Sequence, residues 1–472
     1  MNPSKRHKRI ETIAQLVLIL PLLFYFLWYV FDMGKWSQDA RVTYAHCIGT
    51  GELTNWHSAT FMFEGHMLYS LLHDALGLPV TAHTVLITMA LVMGFALTAA
   101  LSAILHWLMK RDLSFSFFAL SSPFFVIFFK SNAFMNFGLD FYFMGALVIC
   151  TAALLYLKHP RRAIRFVAQV AFWLLLFHIP EFRKNGILTV PFFAFAWMYL
   201  MFRHLSLWKS AAASVLVTCL AGLAAMGAPK IIPNVEIRHP QMVMMACDMK
   251  IAALCRGEVE QELARQREVY KIWHSLVLSE ENWDVRADYV GPVIDEADPS
   301  RDTSDEFDWP AFREDYLRHW REYPASMISA RAIQSFNFFT QNYTPKWLQH
   351  WWNERWPALA EGRDAWSTTN IRSSSTLFRN VLMLVLAGML VYSLLRFMRR
   401  RFMSAPERLA LFLGVVSWVY SLSFLIVVPT SDKRYHIPSA LLCLMSLFIF
   451  GVVLWREYRS RKQQRESSPK AA

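Results

Sequence analysis

The sequence predicts an all-α, polytopic membrane protein with about ten transmembrane helices. Apolar residues make up 55% of the 472 residues, aromatic residues 15%, and charged residues only 18%. Apolar stretches near the length of about 20 residues that a bilayer-crossing helix requires recur along the chain. The loops between them alternate between strongly and weakly basic, as they do in multi-pass proteins. This composition is not that of a soluble two-domain protein.

Hydropathy and length place the spans along the chain. The predicted spans cover about residues 13 to 31, 80 to 108, 114 to 130, 141 to 157, 165 to 180, 187 to 203, 209 to 228, 376 to 396, 408 to 428 and 438 to 455.

Basic residues cluster at every second turn, which predicts that both termini are cytoplasmic. The clusters include Lys5 and Arg6, Lys110 and Arg111, Arg161 and Arg162, Arg203 and Lys209, Arg399 and Arg400, and Arg456 and Arg459. The net charge of +12 is then mostly inner-face charge that suits anionic lipid headgroups. A membrane is therefore the expected partner, and a nucleic acid is not.

Three segments follow from this topology. Residues 1–228 form an N-terminal transmembrane domain with a long first outer loop at 31–79, residues 229–375 a mostly helical extracytoplasmic insertion domain, and residues 376–472 the last transmembrane helices with a basic cytoplasmic tail. In the insertion domain, the spacing of Cys247 and Cys255 fits either a small disulfide or two thiols. The aromatic run from Phe336 to Trp366 fits either a sugar- or lipid-binding wall or an interfacial belt.

Two short loops on the predicted outer face are basic, although the positive-inside rule expects few cations there. They are Glu181-Phe182-Arg183-Lys184-Asn185-Gly186 and Ser431-Asp432-Lys433-Arg434-Tyr435-His436. An anionic ligand explains cations in this place, and arginine offers bidentate geometry to phosphate oxygens. We expect Arg183, Lys184, Lys433 and Arg434 to bind a phosphate. Salt bridges to Glu181 and Asp432 are the alternative.

The first outer loop contains the candidate for acid–base chemistry. Asp39 lies soon after the first span, where a carboxylate at the membrane surface could take a proton from an acceptor hydroxyl. A solvated residue or a helix cap is the alternative for Asp39. A loop histidine such as His57 is either exposed or part of the same site.

Several motifs together resemble those of bacterial GT-C type glycosyltransferases. They are Ser37-Gln38-Asp39-Ala40, Asn55-Trp56-His57-Ser58, Arg183-Lys184-Asn185-Gly186 and Asp432-Lys433-Arg434-Tyr435, followed by Pro438. The motifs occur in the family's order and cover most of the membrane frame, whereas the insertion domain is unmatched. Ala40 stands where the pattern has Ser, and Ser58 stands where it has Pro.

The resemblance implies a GT-C like fold and an inverting transferase of the bacterial cytoplasmic (inner) membrane that uses a polyprenyl-phosphate sugar. Asp39 would be the catalytic base, and Arg183, Lys184, Lys433 and Arg434 would hold the donor phosphate. Trp56, His57, Asn185 and Tyr435 would bind substrate, and His57 could instead orient Asp39. The acceptor would be an envelope glycan, a glycolipid or a protein. No cofactor is certain, and a divalent metal stays open.

Three other functions fit parts of the pattern. An O-antigen polymerase shares the helices, the outer segment and the arginines. A lipid-linked sugar flippase or transporter would place more ionisable residues at mid-bilayer. A non-enzymatic assembly subunit would not depend on Asp39.

Overall fold

The computed structural model describes residues 53–54, 58–80, 82–109, 139–202, 204–232, 235–236, 241–270, 272–274, 290–292, 308–340, 374–400, 403–427 and 437–467. These residues form two compact units. The first unit is drawn from residues 1–238, 389–417 and 437–472, and the second from residues 239–388 and 418–436.

The described chain is mainly helical. The helices are α1 (Ala59–Ser70), α2 (Ala82–Met109), α3 (Leu139–Tyr156), α4 (Arg162–Phe182), α5 (Val190–Met201), α6 (Leu207–Ile231), α7 (Gln241–Arg256), α8 (Val259–Tyr270), α9 (Trp309–Glu322), α10 (Pro324–Thr340), α11 (Ser374–Arg400), α12 (Ala405–Val427) and α13 (Ile437–Ser467). Short strands form two pairs: β1 (Leu53–Thr54) runs parallel to β2 (Val235–Glu236), and β3 (Ile272–His274) runs antiparallel to β4 (Val290–Pro292).

Among the described residues, five helices are long and apolar enough to cross a membrane, judged by length and composition. Their qualifying segments are Arg162–Phe182, Leu207–Ile231, Val381–Arg399, Ala405–Phe424 and Ile437–Gln463, and Val92–Leu108 and Phe141–Tyr156 are shorter apolar helices. The predicted spans at 13 to 31 and 114 to 130 lie outside the described residues. The total of about ten spans therefore stays a prediction.

The predicted span at 187 to 203 is shorter than expected. A 3₁₀ turn occupies Lys184–Leu188, so α5 begins only at Val190 and has 12 residues. Pro191 lies in the first turn of α5, where a missing backbone N–H leaves no helical bond unmade. At about 1.5 Å per residue, α5 by itself is shorter than the hydrocarbon core.

Helix α3 is the most enclosed helix of the first unit. It packs against α2 and α4, and α5 packs against α6. Almost every residue of α3 between Phe141 and Leu154 is buried, because its apolar residues surround the helix on all sides. Helices α4 and α6 instead expose large apolar side chains such as Val170 and Leu223, as lipid-facing helices do.

An ionic cluster joins α11, α12 and α13 within the first unit. Arg396 of α11 forms an ion pair with Glu457 of α13, and its Nε lies 3.3 Å from Oε1 of the buried Glu407 of α12. Glu407 also accepts the backbone N–H of Ser404 at 3.1 Å, and the Ser404 hydroxyl accepts the N–H of Glu407 at 3.4 Å. This reciprocal capping box begins α12.

The second unit has its own apolar core, in which α7 packs against α8, α9 and α10. Met249, Ala252, Phe312, Met327 and Ala330 lie at its centre. Cys247 and Cys255 both lie on α7 and form no disulfide. Eight residues of α-helix separate them by about 12 Å, which is beyond the Cα separation that a disulfide bridges.

Among the described residues of the second unit, the buried charges are paired. The side chain of Asp248 on α7 is fully buried and accepts from the Tyr316 hydroxyl at 2.9 Å and from Arg331 Nε at 2.8 Å. Such pairs compensate the desolvation of both charges and fix the helices in register.

A second charged cluster surrounds His319 of α9. Its Nδ1–H donates to the Asp315 carbonyl at 2.9 Å, and its Nε2 lies 3.6 Å from Glu262 Oε2. Burial lowers the pKa of His319, but Glu262 and Asp315 outweigh that effect and raise the pKa above its ordinary value. For the carboxylates Glu262 and Asp315, burial alone would raise the pKa. Hydrogen bonds from His319 to Glu262 and from Tyr270 to Asp315, together with the charge of Arg265, outweigh burial, so both pKa values lie below their ordinary values.

The predicted domain limits at 228 and 375 remain predictions. The aromatic segment from residue 341 to residue 366 lies outside the described residues.

Candidate functional site

The Arg183 to Gly186 motif forms a tight turn at the end of α4. Pro180 lies in the last turn of the helix, and Arg183 adopts an extended conformation with φ −146° and ψ 120°. The Gly186 N–H donates to the Arg183 carbonyl at 2.8 Å, and the Thr189 N–H and hydroxyl both donate to the Gly186 carbonyl at 2.8 Å. These bonds hold the turn that connects α4 to α5.

Gly186 is required in this turn by close packing. A Cβ at this position would lie 2.7 Å from Phe143 Cε2, 3.0 Å from the Ile179 carbonyl oxygen and 3.1 Å from Ile179 Cγ2. Its φ is not left-handed, so the reason for glycine is space rather than backbone conformation. The motif's glycine therefore sets how closely the turn approaches α3 and α4.

The three side chains of the motif that were predicted to bind ligand differ in exposure. Lys184 is exposed, and Arg183 and Asn185 are partly exposed, each with contacts of its own. Lys184 attracts the neighbouring Glu181 electrostatically. The turn therefore presents cationic groups beside an acidic one.

Glu181 is a buried carboxylate that the sequence reading treated only as a possible ion-pair partner. It is 5% exposed, and its Oε2 accepts a hydrogen bond from the Ser58 hydroxyl at 3.2 Å. Ser58 is also the N-cap of α1, because its Oγ accepts the Phe61 N–H at 3.1 Å. Ser58 thus has a structural role at the position where the resembling family has proline.

A second hydrogen bond ties α1 to α4. His178 Nδ1 donates to the Leu174 carbonyl at 2.7 Å, and its Nε2 lies 2.8 Å from Glu64 Oε1. A carbonyl can only accept, so the proton is on Nδ1, and the Nε2 contact requires one more proton shared with the carboxylate. The side chain of Glu64 is 46% exposed, so this proton lies at the boundary between the helix pair and its surroundings.

Aromatic rings of α1, α3 and α4 pack against one another near this helix contact. The ring centroids of Phe61 and Tyr142 are 4.4 Å apart, and those of Tyr142 and Phe182 are 5.9 Å apart. All three rings are buried, and Phe182 also lies 5.8 Å from the His178 ring. Buried rings and a few polar side chains therefore meet where α1, α3 and α4 are in contact.

Six of the predicted site residues lie outside the described residues: Asp39, Trp56, His57, Lys433, Arg434 and Tyr435. Their part in the site stays a prediction. The structure does describe α1, which begins directly after the Trp56-His57 motif and contacts α4 just before the Arg183 turn.

Sequence signals for the additional site residues were weak. Glu181 follows Pro180 and precedes the basic pair Arg183-Lys184, a pattern typical of a surface loop, and Ser58 precedes an apolar helix as an N-cap does. His178 had no signal beyond its position inside an apolar span.

Within the described ranges, no group of three or more His, Cys, Asp or Glu side chains is arranged to hold a metal ion. No protein-family model, curated protein sequence or solved structure matches this chain.

Proposed function

We propose that this protein is a membrane glycosyltransferase that moves a sugar from a polyprenyl-phosphate donor to an envelope glycan, glycolipid or protein at the outer face of the bacterial inner membrane. The observation that carries the proposal is the Arg183-Lys184 turn at the end of α4. It offers cations at the end of a helix long enough to span a membrane, where the phosphate of a lipid-anchored donor lies.

The proposed reaction is an inverting displacement. Asp39 takes the proton of the acceptor hydroxyl, whose oxygen attacks the anomeric carbon of the sugar. The bond between that carbon and the phosphate oxygen breaks, and the lipid phosphate leaves with the bonding electron pair. Arg183 and Arg434 stabilise the negative charge that develops on the phosphate, with Lys184 and Lys433 as further cations.

Two features of the described residues support this arrangement. Helix α1, which lies within the predicted first outer loop, is bonded to α4 through Ser58 and Glu181 and through Glu64 and His178. The part of this loop from Ser58 to Glu64 is therefore anchored to the end of α4 that precedes the Arg183 turn. An acid on that loop could reach a donor whose phosphate is bound at the turn.

The test uses the full chain in proteoliposomes with labelled polyprenyl-phosphate hexoses and an envelope glycolipid extract as acceptor. We expect transfer by the wild type and loss of about 100-fold or more for Asp39→Asn and Arg183→Ala, the scale of lost acid–base catalysis or charge stabilisation. Lys184→Ala should weaken transfer more than Lys209→Ala, a matched exposed lysine on the predicted inner face.

The products separate the alternatives. Release of a lipid monophosphate with a new glycosidic bond supports the proposal. Consumption of lipid-pyrophosphate oligosaccharides would identify a polymerase, and movement of the donor across the bilayer without a new bond would identify a flippase. Full activity of both Asp39→Asn and Arg183→Ala would exclude the proposed chemistry.

A further inference from the structure

Two buried oxygens at the contact of α1 with α4 have no hydrogen-bond partner within the part of the chain that the structure describes. They are Thr60 Oγ1 and Glu181 Oε1. The Thr60 hydroxyl neighbours the Glu181 carboxylate but does not meet it with hydrogen-bond geometry. Glu181 lies two residues before Arg183 in the chain.

An unmatched buried carboxylate oxygen is costly, and folded proteins seldom retain one without a use. The other carboxylate oxygen of Glu181 accepts from Ser58, whose hydroxyl also accepts the Phe61 N–H. Ser58 therefore has no further proton to donate. The acceptor capacity of Oε1 must be met by a different donor.

The chemistry of the pair selects one ligand group. A hydroxyl can donate its proton to Glu181 Oε1 and accept the Thr60 proton on its own oxygen, which satisfies both orphan atoms at once. A phosphate oxygen has no proton to donate near neutral pH, and the Glu181 carboxylate repels it. The Glu181 and Thr60 pair is therefore suited to a polyol and unsuited to the donor's phosphate.

The surroundings match a sugar. The buried rings of Phe61, Tyr142 and Phe182 pack against one another, and Phe182 directly follows Glu181 in the chain. Lys184, three residues beyond Glu181, is exposed and cationic. In a sugar 1-phosphate, the hydroxyl groups of the ring lie next to the phosphate. A carboxylate that binds a hydroxyl beside cations that bind the phosphate would match this arrangement.

We propose that Glu181 and Thr60 bind one hydroxyl of the donor's sugar and thereby select among lipid-linked sugars. This inference rests on the proposed function, because it assigns the sugar subsite of the same reaction. Glu181 is a substrate-binding residue in this arrangement, and Asp39 keeps the role of base.

The test couples protein variants to donor analogues. Wild type, Glu181→Gln and Thr60→Val are compared for transfer from a polyprenyl-phosphate hexose and from each of its monodeoxy analogues. For one analogue, the wild type should lose about 10- to 100-fold in kcat/KM, as expected for a lost hydrogen bond to a charged group. Both variants should transfer the parent donor more slowly and discriminate less than about 3-fold against that analogue, because the contact is already gone.

Glu64→Gln is the matched control, because Glu64 is a carboxylate on α1 whose side chain bonds to His178. It should keep the wild-type ratio between parent and deoxy donors. Thermal unfolding of each purified variant checks folding, and Thr60→Val, which preserves side-chain shape, is decisive if Glu181→Gln does not fold.

The outcomes separate this inference from the function on which it rests. Transfer by the wild type with equal discrimination in wild type and both variants overturns the subsite and leaves the glycosyltransferase intact. Absence of wild-type transfer from every donor overturns both.

Discussion

Replacing Gly186 by alanine tests the close packing of the Arg183 turn. The added methyl group would overlap Phe143 Cε2 at 2.7 Å and the Ile179 backbone oxygen at 3.0 Å. Ordinary contacts of carbon atoms lie near 3.5 to 4.0 Å, so both neighbours must shift by several tenths of an ångström. The carbonyl cannot shift without disturbing α4. We expect a destabilisation of about 1–3 kcal/mol, the usual cost of overpacking.

The measurement is thermal unfolding of the purified protein in detergent together with sugar transfer. Gly227→Ala is the matched control, because nothing lies within 4 Å of a Cβ at this position inside α6. It should be neutral or stabilise by up to about 1 kcal/mol through helix propensity.

A second change separates the two clashes. Phe143→Leu removes the ring atom that meets the new methyl group but leaves the Ile179 carbonyl in place. The double variant should therefore recover only part of the lost stability and transfer, relative to Phe143→Leu alone. A Gly186→Ala protein that melts like the wild type would refute the packing argument.

Two further predictions concern the second unit. Asp248→Asn leaves the partly buried Arg331 without its counter-charge and should lower the stability of α7 by about 3 kcal/mol, measured by hydrogen exchange; unchanged protection would contradict a stabilising pair. Protection of the α9 backbone amides against hydrogen exchange should be greatest between pH 4.5 and 6.5, which are the ordinary pKa values of Glu262 and His319. Because folding lowers their pKa, Glu262 and Asp315 stabilise α9 at pH values above their ordinary pKa. This contribution is lost as the pH falls through their pKa values in the folded state. His319, with a raised pKa, stabilises α9 fully below 6.5 and loses its contribution as pH rises. A flat profile would show that the cluster does not titrate with unfolding.

Hydropathy located most of the described membrane helices, because a long apolar run carries its signal within itself. The predicted spans at 165 to 180 and 209 to 228 lie within α4 and α6. The 3₁₀ turn before α5 was missed, since an apolar run beginning at Ile187 reads as a helix until the packing of Gly186 is known.

The burial of Glu181 could not be predicted from its neighbours. Its partner Ser58 lies 123 residues away in the chain, and a carboxylate beside Arg183 and Lys184 reads locally as solvated. The cations proposed to bind phosphate, in contrast, were visible as basic residues on the predicted outer side, where the positive-inside rule expects few. The burial of Glu181 depends on contacts between residues far apart in the chain, which composition and local spacing do not reveal.

The Arg396 cluster has a consequence for biogenesis. Topology is decided while helices enter the bilayer, before they associate with one another. At that moment Arg396 is an uncompensated cation, which by the positive-inside rule favours retention of its flank on the predicted inner side. After association, Glu407 and Glu457 neutralise it. The same guanidinium group would thus first help to orient the inserting helix and then stabilise the contact of α11 with α12 and α13 through its ion pairs.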